Sequence, residues 1–187
     1  LTTVGVATMG DSLYLVGGYY GPPHDYSKEF QSGNVSRMNL STGVWDELAS
    51  VTPIQSPAIT SDGRYLYKIG GLKTLNALGQ PTELRSVADV ERFDPALNRW
   101  EPLPSLPEPR SSHGAVVVGS TIYVVGGWAL EGGMNDNVWS STMLTADLNQ
   151  PTLVWKSVTL PFQVRAQGLV AHAGKLFVLG GLAPEGS

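Results

Sequence analysis

Pro109-Arg-Ser-Ser-His113-Gly-Ala-Val-Val-Val118 passes through Gly119-Ser120 into Thr121-Ile-Tyr-Val-Val125 and stops on Gly126-Gly127. Two apolar, β-branched runs separated by a Gly-Ser turn signal predict an antiparallel hairpin. The same pattern recurs along the chain. Double glycines close apolar runs at Gly17-Gly18, Gly70-Gly71, Gly126-Gly127 and Gly180-Gly181, at spacings of 53, 56 and 54 residues. Tryptophans at Trp45, Trp100 and Trp155 repeat at 55. Two markers sharing one period define a structural repeat.

Each repeat reads as four strands. The hairpin supplies strands a and b; strand c follows a longer loop, and strand d carries the Trp. The expected strands lie near 3–9, 12–17, 34–40 and 44–48; then 56–61, 64–70, 87–93 and 99–103. The third set lies near 112–118, 121–126, 141–148 and 153–159, with 167–172 and 175–180 beyond it. The corner between c and d is clearest in Phe93-Asp94-Pro95-Ala96-Leu97-Asn98-Arg99-Trp100, where Asp before Pro starts a turn and Asn tolerates a left-handed residue. Four antiparallel strands at this period form a β-propeller blade, so the fold class is all-β.

Pro109 to Gly127 and Asp94 to Trp100 resemble the kelch repeat nearly letter for letter. The first and third c–d corners depart from the pattern. Asn39-Leu-Ser-Thr-Gly-Val-Trp45 lacks the Pro, and Asp147 precedes Trp155 by eight residues instead of six. The expected blades are 1–52, 53–108 and 109–160, with 161–187 supplying only strands a and b of a fourth. A propeller needs about four to eight blades, so these three and a half await the remaining blades of a parent; the resemblance implies six or seven. The long period and absent cysteines lean toward bacterial kelch proteins, periplasmic or extracellular.

Composition narrows the function classes. Only 15% of residues are charged, against 22 Gly and 13 Pro, and the net charge is −4. No basic cluster offers itself to a nucleic acid. No apolar run reaches membrane-spanning length. There is no cysteine, and His24, His113 and His172 lack metal-ligand spacing, so neither a metal nor another cofactor is expected. No nucleophile elbow or phosphate loop appears, and no catalytic residue is assigned.

Binding is the expected role. Strand order puts the a–b and c–d turns on one face and the long b–c loops, 19–33, 72–86 and 128–140, on the other. Loops of this length are commonly functional. The first carries Tyr19, Tyr20, His24, Asp25 and Tyr26; the third carries Trp128, Glu131, Asn135, Asp136 and Trp139. Trp128 and Trp139 stand outside the 55-residue series. Arg110 and Arg165 lie 55 apart at the starts of innermost strands, and the same step back reaches Gln55. The resemblance implies that arginines in this position line an acidic-peptide pocket. The expected ligand-binding set is Arg110, Arg165, Gln55, His113, Tyr20, Trp128 and Trp139, facing a protein, peptide or glycan, acidic in the sharpest reading. The alternative is part of a sugar-processing enzyme resembling mutarotases that act on acidic sugars.

Overall fold

The computed structural model describes residues 1–23, 25–135 and 137–185. The first blade contains β1 (Gly5–Met9), β2 (Ser12–Val16), β3 (Val35–Asn39) and β4 (Trp45–Leu48), hydrogen-bonded in that order. The second contains β5 (Ala58–Ser61) and β6 (Leu66–Ile69), then β9 (Val90–Asp94) and β10 (Arg99–Leu103). The third contains β11 (Gly114–Val118), β12 (Thr121–Val125), β15 (Thr142–Asp147) and β16 (Lys156–Thr159). The hairpin β17 (Gly168–His172) and β18 (Lys175–Leu179) begins a fourth. All pairings are antiparallel, as the repeat predicts.

β1, β5, β11 and β17 stand side by side as the innermost strands. The apolar core fills the spaces between successive sheets: Val16, Val35, Ile54 and Ile59 between the first two blades, and Tyr67, Ile69, Ile122, Val124 and Leu144 between the next two. Tryptophans join neighbouring blades by a recurring bond. Trp100 Nε1 donates to Ala49 O at 2.9 Å, and Trp155 Nε1 donates to Pro104 O at 3.0 Å. Each acceptor lies four residues after the preceding blade's Trp. Trp45 has no preceding blade within the chain, and its side chain is 49% exposed.

The double glycines have a steric cause. A Cβ at Gly17, Gly70 or Gly126 would fall 2.3–2.4 Å from the carbonyl oxygen of Ile54, Arg110 or Val164 in the following blade's entry segment. The second glycine of each pair donates its N–H to that same oxygen, at 2.7–2.9 Å. No side chain fits between these backbones.

Two of the expected b–c loops contain strands. β7 (Leu72–Thr74), β8 (Leu84–Ser86), β13 (Trp128–Gly132) and β14 (Asn137–Trp139) form a separate four-stranded sheet in the order β14-β13-β8-β7. The loops of the second and third blades are thus joined through Glu131↔Arg85 and Gly132↔Leu84. The cause is a short alternation of period two. Leu72, Leu84, Trp128 and Leu130 face inward as one apolar cluster, while Lys73, Arg85, Glu131 and Val138 face away. The first blade's loop docks on the β7 edge. Gln31 donates from Nε2 to Leu72 O at 2.8 Å and accepts through Oε1 from Thr74 N at 3.1 Å. This closes an otherwise open sheet edge.

Candidate functional site

The axial end of the b–c face is built on a strained repeat. Thr3, Ser56, Ser112 and Ala166 all have left-handed backbones, with φ of 53, 49, 53 and 54°. Such residues cost about 1 kcal/mol or more each and persist only where their surroundings fix them. Here a chain of backbone bonds fixes them. Ala166 N donates to Ser112 O, Ser112 N to Ser56 O, and Ser56 N to Thr3 O, at 2.8, 3.4 and 2.7 Å. These bonds link successive blades at the starts of their innermost strands.

This register corrects the phase assigned to the arginines. The residue before each left-handed position is Thr2, Gln55, Ser111 or Arg165, and each bridges to its own blade at Tyr19, Leu72, Trp128 or Leu182. Arg110 falls one position earlier, with Ile54 and Val164. Blade length varies, so a fixed step of 55 slips by one residue. Counting back from the second glycine, Arg165 stands 16 residues away and Arg110 stands 17.

That residue changes where the charge goes. Arg110 is 1% exposed. Its Nη1 donates to Gly126 O and Thr142 O at 3.3 and 3.0 Å, and Nη2 donates to Thr142 Oγ1 at 2.7 Å. It therefore ties β12 to β15 inside the third blade. Burial pulls its pKa down, and Glu108 partly offsets this. His113 is buried beside it, and among the described residues both ring nitrogens lack a hydrogen bond of good geometry. Burial first, then the charge of Arg110, push its pKa down to about 3; the backbone carbonyls of Ile69 and Ser111 pull the other way. Gln55 is also buried, donating from Nε2 to Thr74 Oγ1 at 2.9 Å. None of these three side chains stands open at the axis.

Arg165 does stand at the surface of this end. Its guanidinium carbon lies 3.8 Å from the Trp128 ring centroid and 5.2 Å from that of Trp139. The two indoles meet edge to face at 5.8 Å, directly opposite each other on β13 and β14. Gln163 Nε2 donates to Trp139 O at 2.9 Å, holding the β14 end down. Tyr26 packs against the same cluster from the first blade's loop, close enough to offset slightly the lowering of Arg165's pKa by burial. Among the described residues Arg165 makes no ion pair, and its Nε is buried without a partner. Tyr20 belongs elsewhere: it is 58% exposed, stacks edge to face on Phe30, and donates to Glu29 O. His24 and Asp136 lie outside the described residues.

The repeat pattern singles out both tryptophans but not Gln31 and Gln163, whose amides replace strand partners at the sheet's two ends. Polar residues inside loops carry no periodic signal. The alternation in Trp128-Ala-Leu-Glu-Gly132 is the readable clue to the sheet.

The four-stranded sheets, joined at their innermost strands, define a β-propeller. A kelch motif matches residues 55–107 and 109–142. The chain is 31% identical over 181 residues to Kelch-like protein terF of Aspergillus terreus, covering 94% of this chain and 38% of that protein. It is 26% identical over 181 residues to Kelch repeat and BTB domain-containing protein 1 of Ectromelia virus, covering 94% and 28%. The solved structure of YjhT superposes with a TM-score of 0.72 at 14% identity, over 96% of this chain and 58% of the other. The chain carries kelch repeats, and it spans between 28% and 38% of the length of these two sequence relatives.

Proposed function

We propose that the b–c face is the recognition surface of a protein-binding kelch propeller, with Arg165 on its indole shelf as the contact for an acidic side chain. One observation carries this reading: a guanidinium stacked 3.8 Å over Trp128, with no carboxylate partner among the described residues. Stacking fixes the plane of the guanidinium, and a fixed planar fork is suited to grip a carboxylate through two bonds. Indoles around a desolvated charge are also the composition of interface hot spots. Arg110, Gln55 and His113 support this surface from beneath.

The test is a peptide array probed with the full-length protein. Acidic peptides should be retained over their Lys-substituted counterparts, and Arg165→Ala should abolish that preference. The melting temperature should move by less than about 4 °C, as expected for a change of under about 1 kcal/mol. Retention of the acidic preference in Arg165→Ala defeats the proposal, as does its absence in the parent protein.

A further inference from the structure

The opposite face carries a cleft of about 400 Å³ between the second and third blades. One wall is the a–b turn of the second blade, with Asp62, Arg64 and Tyr65; Tyr67 and Arg92 adjoin it, and Ser120 and Asn149 form the wall across. Arg64 and Arg92 both stack on the Tyr65 ring, their guanidinium carbons 4.7 and 4.5 Å from its centroid. One ring therefore holds two cationic planes in place.

The cleft's carboxylate is spent within its own turn. Asp62 Oδ1 accepts from the backbone N–H groups of Arg64 and Tyr65 at 2.8 and 2.7 Å, and Oδ2 accepts from the Tyr67 hydroxyl at 2.7 Å. Burial, followed by that bond to Asp62, pushes the Tyr67 pKa up, so the proton stays on the tyrosine. The donors are not spent. Among the described residues the Arg64 guanidinium makes no hydrogen bond and no ion pair. Arg92 commits Nη2 to Glu101 at 2.8 Å, while its Nη1 makes no hydrogen bond among the described residues and is not buried. Unspent N–H groups call for a ligand rich in acceptors.

The repeat supplies an internal control. Tyr67 corresponds to Tyr14, Tyr123 and Phe177, so an aromatic ring there belongs to the repeat. Tyr65 corresponds to Ser12 and Thr121, and Arg64 to Asp11 and Ser120. The blade closes without a ring or a guanidinium at those positions. We infer that the cleft between blades two and three binds a small oxyanion, of the sulfate or phosphate type, between Arg64 and Arg92.

The experiment is calorimetric titration of the full-length protein carrying Arg165→Ala, which removes the proposed peptide contact on the other face. Sodium sulfate and inorganic phosphate are the probes, at constant ionic strength, with a neutral disaccharide alongside. Sulfate or phosphate should bind with saturation, and Arg64→Gln should weaken binding by about tenfold or more, the loss expected for one charge-assisted contact. Arg64 sits on an exposed turn, so its loss leaves the fold intact. Arg85→Gln, which removes a cation from the opposite face, should change nothing. Equal binding by Arg64→Gln, an equal loss in Arg85→Gln, or binding of the neutral disaccharide alone would each overturn the inference. Because Arg165 is absent throughout, the outcome is independent of the peptide-binding proposal.

Discussion

The entries to the third and fourth blades, Pro109–His113 and Gln163–Gln167, follow one backbone path and carry one arginine each. Their carbonyls at Arg110 and Val164 accept from the second glycine of the preceding blade in the same way. Their left-handed residues, Ser112 and Ala166, differ in φ by one degree. A displacement of the arginine by a single residue separates a blade tie from a surface charge. Arg110 turns into its own sheet and spends three donor contacts on Gly126 and Thr142. Arg165 turns onto Trp128 and spends none among the described residues. In an extended segment successive side chains point to opposite sides, so register decides function more strongly than residue type does.

The most forceful way to break this comparison is Arg110→Ala. It strips donors from two carbonyls and a hydroxyl around a fully buried site. The expected cost is about 2–4 kcal/mol, since each buried acceptor left without its donor costs about 1–3 kcal/mol. Denaturant unfolding of the full-length protein measures it. A loss below about 1 kcal/mol would place Arg110 with ordinary surface residues and erase its difference from Arg165.

A pH titration sharpens the same contrast. His113 and Gln167 both stand 14 residues before the second glycine. Gln167 Nε2 donates to Val125 O at 2.7 Å, and the carbonyl of Ile69 near His113 is that oxygen's counterpart in the preceding blade. Folding holds the His113 pKa at about 3, against the ordinary histidine value of 6.5. Between those values the unfolded chain binds a proton that the folded chain refuses. Its contribution is complete above about pH 6.5 and falls as pH drops, by up to about 1.4 kcal/mol per unit, until about pH 3. Substituting His113→Gln should flatten that part of the profile while preserving the fold. A profile unchanged by the substitution would mean that His113 is not held neutral by the blade junction.

Much of this contrast is legible in the amino-acid sequence. Glycine pairs and tryptophans recur because each blade meets the same steric demand, so periodicity locates all four hairpins and the outer strands. Arg165 is marked by its place at a blade entry, and Trp128 and Trp139 by standing outside the repeat. Matching Arg110 to Arg165 by a fixed step fails because blade length drifts by a few residues, and absolute spacing carries that drift. Offsets from Gly127 and Gly181 separate the two. The accessory sheet is hidden for another reason. Three of its four strands, Leu72–Thr74, Leu84–Ser86 and Asn137–Trp139, are three residues long, too short for alternation to stand out from a loop.

The smallest expected effect is also the one on which the comparison turns. Arg165→Ala should cost less than about 1 kcal/mol, the usual worth of a cation–π contact that remains partly in water. No hydrogen bond to a buried carbonyl is lost, because Arg165 makes none through its side chain among the described residues. Trp128 keeps its packing against Leu72, Leu84 and Leu130, and Trp139 keeps the Gln163 bond. Pairing Arg165→Ala with Trp139→Leu in a double-mutant cycle isolates the guanidinium–indole coupling from the indole's own burial. Coupling of a few tenths of a kcal/mol, by about the measure of an exposed contact, leaves Arg165 free to serve a ligand. Coupling above about 2 kcal/mol, together with a matching loss in the single variant, would make Arg165 a fastener of the accessory sheet. The two entry segments would then differ only in which strands their arginines bind.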